Sequence, residues 1–172
     1  MNRTRGFTLI ELMVALLVAA IIVTLAVPGF RSVIERNRIA AAVNAFVGAI
    51  TFARSAAVTR ATQVTVCPSP DGRTCDGTKP WQDGWIAFTD GGTVGTVDGS
   101  DEILRVGDPT SGTLFVVSSG FSNGYITISP EGFVPAGGGT LHVCPAGTSS
   151  LPGAQISLSP TGALTNSAYT CP

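Results

Sequence analysis

The hydrophobic pattern of the chain changes character near residue 30. From Phe7 to Val27 it is almost wholly apolar, interrupted only by Thr8, Glu11 and Thr24. Such a run is long enough to cross the ~30 Å hydrocarbon core of a bilayer as one helix, which takes roughly 20 residues. Arg3 and Arg5 precede it, and basic flanks stay on the cytoplasmic side, so the remainder is expected to face outward. Pro28 and Gly29 follow. Proline removes a backbone donor and clashes with the preceding turn, so a kink or local loosening is expected at Pro28. From Phe30 the pattern becomes amphipathic. Ile39, Val43, Phe46, Ile50, Ala53 and Ala57 recur at alternating steps of four and three, a single helical face. Arg31, Glu35, Arg36, Arg38 and Arg54 lie largely off that stripe, and Arg54 is expected as a solvated or helix-terminal charge rather than a binding residue. The helix is expected to continue to about Thr59, some ~80 Å at 1.5 Å per residue. Only its second half has a face to bury against a folded domain.

Beyond the helix the period is two. Gln63–Cys67, Trp85–Thr89, Glu102–Val106, Leu114–Val117, Tyr125–Ile128, Thr140–Cys144 and Gln155–Leu158 read as short strands between glycine-containing loops. The order predicts an α+β chain: one long N-terminal helix, its second half packed on an antiparallel sheet domain of hairpins. Trp81 and Trp85 are expected to pack inside it, because aromatics dominate small cores.

Glu11 is the anomaly. A charge within a membrane helix costs about 2.5–3.5 kcal/mol even on lenient insertion scales, so it calls for a partner. If the chain were cut after Gly6, Phe7 would carry a new α-amino group four residues before Glu11. Four residues is one helical turn, so that ammonium could meet the carboxylate of its own chain or of a neighbour.

Composition narrows the class. At 172 residues there is room for one membrane helix and one domain of ordinary size. Charged residues make up only 12% and glycines number 21, which suits a loop-rich β domain. The formal net charge is −1; without Arg3 and Arg5 it becomes −3, eight basic side chains against eleven acidic. That is no electrostatic footprint for nucleic acid. The four cysteines, Cys67, Cys75, Cys144 and Cys171, stand in a domain expected outside the cytoplasm, which favours disulfides in one of three connectivities. The tight loop between Cys67 and Cys75, and a tail that can return to the Cys144 strand, favour Cys67–Cys75 with Cys144–Cys171. Zinc is the weaker rival: no C-x-x-C occurs, and His142 is the single histidine, two residues from Cys144 on the same strand face. Asp90, Asp98, Asp101 and Glu102 share one loop without the spacing of a calcium loop, and a solvated hairpin tip is expected there. His142 has no nucleophile elbow around it, and Gly137–Gly139 lacks the lysine and following helix of a phosphate loop. No enzyme, cofactor or metal is expected.

The segment Gly6-Phe7-Thr8-Leu9-Ile10-Glu11 closely resembles the class III signal of type IV pilins and type II secretion pseudopilins. Arg54-Ser55-Ala56-Ala57-Val58 resembles a short pattern of the FimT/GspH branch, and Trp81-Gln82-Asp83-Gly84-Trp85-Ile86-Ala87-Phe88-Thr89-Asp90 resembles its W-x-x-G-W-x-x-F-x-D element. Ile156–Gly162 fits the last strand of that branch more loosely. The resemblance implies a leader (1–6) removed between Gly6 and Phe7 by prepilin peptidase, N-methylation of Phe7, and docking of Glu11 on a neighbour's N-terminus. It implies a transmembrane and assembly helix (7–29) loosened near Pro28 in a filament, an amphipathic helix (30–60) and a β-rich domain (61–172). The implied place is the bacterial inner membrane, single-pass, with the domain in the periplasm. The implied partners are other minor and major pilins or pseudopilins, and the implied role is to help start or tip a type IV pilus or type II secretion pseudopilus. A second reading is a DNA-binding minor pilin for uptake. DNA-binding members of the branch carry G-R-x-R near the C-terminus. The corresponding stretch here is Gly162-Ala163-Leu164-Thr165, without either arginine, so DNA stays an alternative partner only. A membrane-anchored domain that never assembles is the third.

Overall fold

The computed structural model describes residues 8–110, 112–147 and 151–172, with the side chains of residues 25–29 and 31 outside that description. Gly6 and Phe7 therefore lie outside the described residues. The chain forms two units, Met1–Arg38 and Ile39–Pro172.

A single helix, α1 (Leu9–Arg60), supplies the first unit and the start of the second. Helical structure continues through residue 28 without a melted segment, although proline withdraws one donor from the ladder there. At its far end the helix stops in a Schellman-type turn: the Thr62 amide donates to the Ala57 carbonyl (3.2 Å), and Ala61 takes the left-handed conformation at φ 50° usually left to glycine.

Among the described residues of the second unit, eight strands form two antiparallel sheets. The first contains β1 (Val64–Pro68), β2 (Trp85–Thr89), β3 (Ile103–Gly107) and β5 (Ile126–Ile128), in the order β3-β2-β1-β5. The second contains β4 (Leu114–Ser119), β6 (Gly139–Pro145), β7 (Pro152–Leu158) and β8 (Leu164–Thr170), in the order β4-β6-β7-β8. A 3-10 turn, Trp81–Asp83, leads into β2. The predicted apolar stripe is the core: Ile39, Val43, Phe46, Ile50, Ala53 and Ala57 are all buried, against Val64, Val66, Trp81, Trp85, Val116, Ile126, Leu141, Val143 and Ile156 from both sheets. Alanines 42, 49 and 56 fill the gaps and let the strands approach the helix closely. Phe46 meets Trp81 edge to face, with ring centroids 6.0 Å apart.

The first sheet is covered on its other face as well. Cys67, Ile86 and Phe88 form a second cluster with Cys75, Val97, Ile103 and Tyr125. This is why β1 is buried along its whole length and β2 at all but its last residue, a pattern of strands enclosed on both faces. The second sheet has one buried face only; Phe115 and Val117 on β4 are exposed. The expected antiparallel domain is divided between these two sheets, and two details of strand placement differ from the sequence reading. β8 was not expected as a strand, and β7 begins at Pro152, three residues before the expected start.

Candidate functional site

Two places carry the residues singled out in the sequence: the start of α1, and the disulfide-tied domain surface.

At the start of α1, the Thr8 hydroxyl accepts the Glu11 amide (3.3 Å), and the Thr8 carbonyl accepts the Leu12 amide (3.2 Å). Thr8 is therefore the N-cap and Glu11 the third helical residue, the T-x-x-E arrangement of a capping box. The Glu11 carboxylate sits in the first turn, where the helix dipole favours negative charge. Sequence reasoning missed this second use of Glu11, although the spacing was visible. The side chains beyond it, among them Leu12, Met13, Leu16, Leu17, Ile21 and Ile22, are half or more exposed. Thr24 donates its hydroxyl to the Ile21 carbonyl (2.8 Å), so this hydroxyl is satisfied within the helix itself.

On the domain, Cys67 is bonded to Cys75 (Cα–Cα 5.5 Å) and Cys144 to Cys171 (Cα–Cα 5.9 Å), leaving no free cysteine. Within the first loop the Asp71 carboxylate accepts the Arg73 and Thr74 amides (both 2.9 Å) and the Thr74 and Ser69 hydroxyls (2.7 and 3.0 Å). These donors, Thr74 foremost, hold the exposed Asp71 far below the usual carboxylate range. Asp76 is lowered in the same way by Thr78. Gly153 lies against the second disulfide, where a Cβ would overlap Cys171 Sγ and the Val143 carbonyl.

Two expectations are corrected. Arg54, expected as a solvated or helix-terminal charge, donates Nη1 to the Gly162 carbonyl (2.9 Å) and Nη2 to the Thr161 carbonyl (3.4 Å). It lies against Gly132 as well, so one guanidinium gathers two glycine turns, both at positive φ. Asp90, expected at a solvated tip, is 2% exposed; it accepts the Thr65 hydroxyl and the Gly95 amide (2.9 Å), while Thr65 contacts the Thr127 hydroxyl (2.8 Å). Its loop folds back over the first sheet, which no local pattern announces. Asp98 and Asp101 accept backbone amides of the same loop. Among the described residues no group of three or more His, Cys, Asp or Glu side chains could hold a metal ion. His142 stacks on Tyr169 at 4.2 Å, with Nε2 against the Thr140 hydroxyl (3.1 Å).

Comparison with known proteins agrees with this architecture. Residues 1–27 match the prokaryotic N-terminal methylation motif. Two crystal forms of the type IV minor pilin FimU from Pseudomonas aeruginosa share the fold at 20% identity. One covers 76% of this chain and 89% of FimU with a TM-score of 0.59, the other 77% and 96% with a TM-score of 0.53. No curated protein matches the sequence. Residues 42–168, well over half of the chain and nearly the whole folded unit, match the family model of the type II transport protein GspH, and the chain belongs to that family.

Proposed function

We propose that the protein is a minor pilin or pseudopilin, a structural subunit that helps initiate or tip a type IV pilus or a type II secretion pseudopilus. The observation that carries the reading is the bare apolar stretch of α1 ahead of a GspH domain, with one acid in its first turn. A soluble domain has no use for so much exposed apolar surface; a bilayer, and then a bundle of like helices, can cover it. In this reading prepilin peptidase cuts between Gly6 and Phe7 and Phe7 is methylated. The domain stands in the periplasm above the inner membrane, and its oxidised cysteines suit that compartment. The partners are other pilins or pseudopilins. The protein works by assembly and carries no catalysis of its own.

Glu11 sets the register. Leucines and valines pack equally well at several heights, whereas a carboxylate paired with a neighbour's N-terminal amine fits at one. The Glu11→Gln variant should insert, be cut to N-methyl-Phe7 by intact mass, and form both disulfides. It should nevertheless be missing from sheared filaments, with loss of the machine's output in a strain lacking the native copy. Wild-type incorporation of the variant would refute docking by Glu11, and a mature N-terminus beyond Val27 would refute the pilin reading altogether.

A further inference from the structure

We propose that the helix turns from Phe30 to Arg38 form a collar that binds the phosphates of anionic lipids on the outer face of the membrane. The inference rests on the membrane-spanning reading above and adds a partner to it.

Three observations carry it. The first is position. At 1.5 Å per residue, Phe30 to Ile34 stand about 5–10 Å beyond Val27, the depth of the headgroup layer that flanks the hydrocarbon core. Arg36 and Arg38 stand about 14–17 Å beyond. Helical side chains lean toward the helix N-terminus, here toward the bilayer, and long cationic side chains reach back to the interface.

The second is the pattern. Phe30, Val33 and Ile34 are 70%, 54% and 47% exposed, far more than a folded helix leaves to water without reason. At about 100° per residue they share one side of the helix, which Arg38 borders on one flank and Arg36 on the other. An apolar strip between arginines is the pattern of a helix face that dips into the headgroup boundary while its cations meet phosphate. Arg36 and Arg38 are exposed.

The third is charge segregation. Residues 31–38 hold three arginines against Glu35, a formal +2. From Ile39 to Pro172 there are five basic side chains against nine acidic, a formal −4. An anionic surface therefore repels the domain and attracts only the collar. The effect per arginine near such a surface is about five-fold in binding. The leader's arginines lie on the other side of the span, so this is the only concentration of positive charge available to outer-leaflet lipid.

The test uses the full chain in nanodiscs loaded with one copy each, of phosphatidylcholine alone or of an equal mixture with phosphatidylglycerol. The Val33→Cys variant reports through its rate of reaction with a water-soluble maleimide. We expect the reaction to be several-fold slower in the phosphatidylglycerol discs, to recover at high salt, and to lose its lipid dependence when Arg31, Arg36 and Arg38 are all changed to Gln. Equal rates in the two discs would overturn the collar. So would slowing confined to discs holding two copies, which would make this face a contact between subunits. Slowing by inorganic phosphate in pure phosphatidylcholine would assign the site to free phosphate and overturn the lipid. Alkaline extraction of the same samples keeps the two readings apart: release of the wild-type chain would refute the span itself, whereas a retained chain with equal rates refutes the collar alone.

Discussion

Replacing Arg54 by Ala should destabilise the folded unit by about 2–3 kcal/mol. The estimate starts from the Gly162 contact, a part-buried hydrogen bond from a charged donor at 2.9 Å. Such bonds contribute about 1.5–3 kcal/mol, since removal leaves the carbonyl short of a partner in a partly dry place. The Thr161 contact at 3.4 Å adds little. Packing adds more: the guanidinium lies against Gly132 and Gly162, and alanine leaves that space empty. For a unit of this size each kcal/mol moves the melting temperature by about 3–5 °C, so a drop of about 6–15 °C is expected. Thermal melts of the full chain in detergent, followed by near-ultraviolet circular dichroism, measure it, with the exposed Arg36→Ala as control. Arg54→Lys should recover a part only, because an ammonium cannot span both carbonyls in the plane of the guanidinium. The double change Arg54→Ala with Gly162→Ala separates contact from backbone strain. Gly162 stands at φ +78°, so alanine there is strained in any case; but part of its cost comes from crowding Arg54, and the two costs should add to less than their sum. An Arg54→Ala melt indistinguishable from that of Arg36→Ala would refute the reasoning and return Arg54 to the role of a solvated charge.

Two further outcomes follow from the domain surface. Gly153→Ala should hinder the second disulfide, because its Cβ would overlap Cys171 Sγ; thiol titration of exported protein should find free Cys144 and Cys171 while Cys67–Cys75 stays closed. Asp71 is depressed in the folded state, so its contribution is fully present above the ordinary carboxylate range near pH 3.9 and is lost only as pH falls through the lowered value. The Arg73 and Thr74 amides should therefore keep their exchange protection in acid where an ordinary aspartate is already protonated, and Asp71→Ala, which takes away the accepting oxygen, should remove that protection at neutral pH.

The stripe of α1 was legible because a helix that buries one face must repeat its apolar residues every three or four positions, and Ile39 to Ala57 do so without a break. The strands of the first sheet were legible from β-branched and aromatic runs. β8 was not, because Leu164-Thr165-Asn166-Ser167-Ala168-Tyr169-Thr170 is an edge strand with little buried on either side. Burial writes alternation into a sequence, and a strand without burial leaves none to read. Arg54 and Asp90 failed for another reason. Their partners are set by chain folding: Arg54 meets carbonyls more than a hundred positions on, and Asp90 meets a threonine twenty-five positions back. At the helix start the cap of Thr8 on the Glu11 amide is local, and the T-x-x-E spacing alone carries its signal.

The unequal covering of the two sheets has a practical consequence for anyone wishing to watch this subunit. A tag or fluorophore attached near β1 or β2 displaces core, since those strands have no free side. At Ser167, exposed on the edge strand β8, a bulky adduct would stand in water, remote in sequence from the membrane helix and from the Cys67–Cys75 loop. That strand is the natural place for a reporter, and filaments carrying one there should still form.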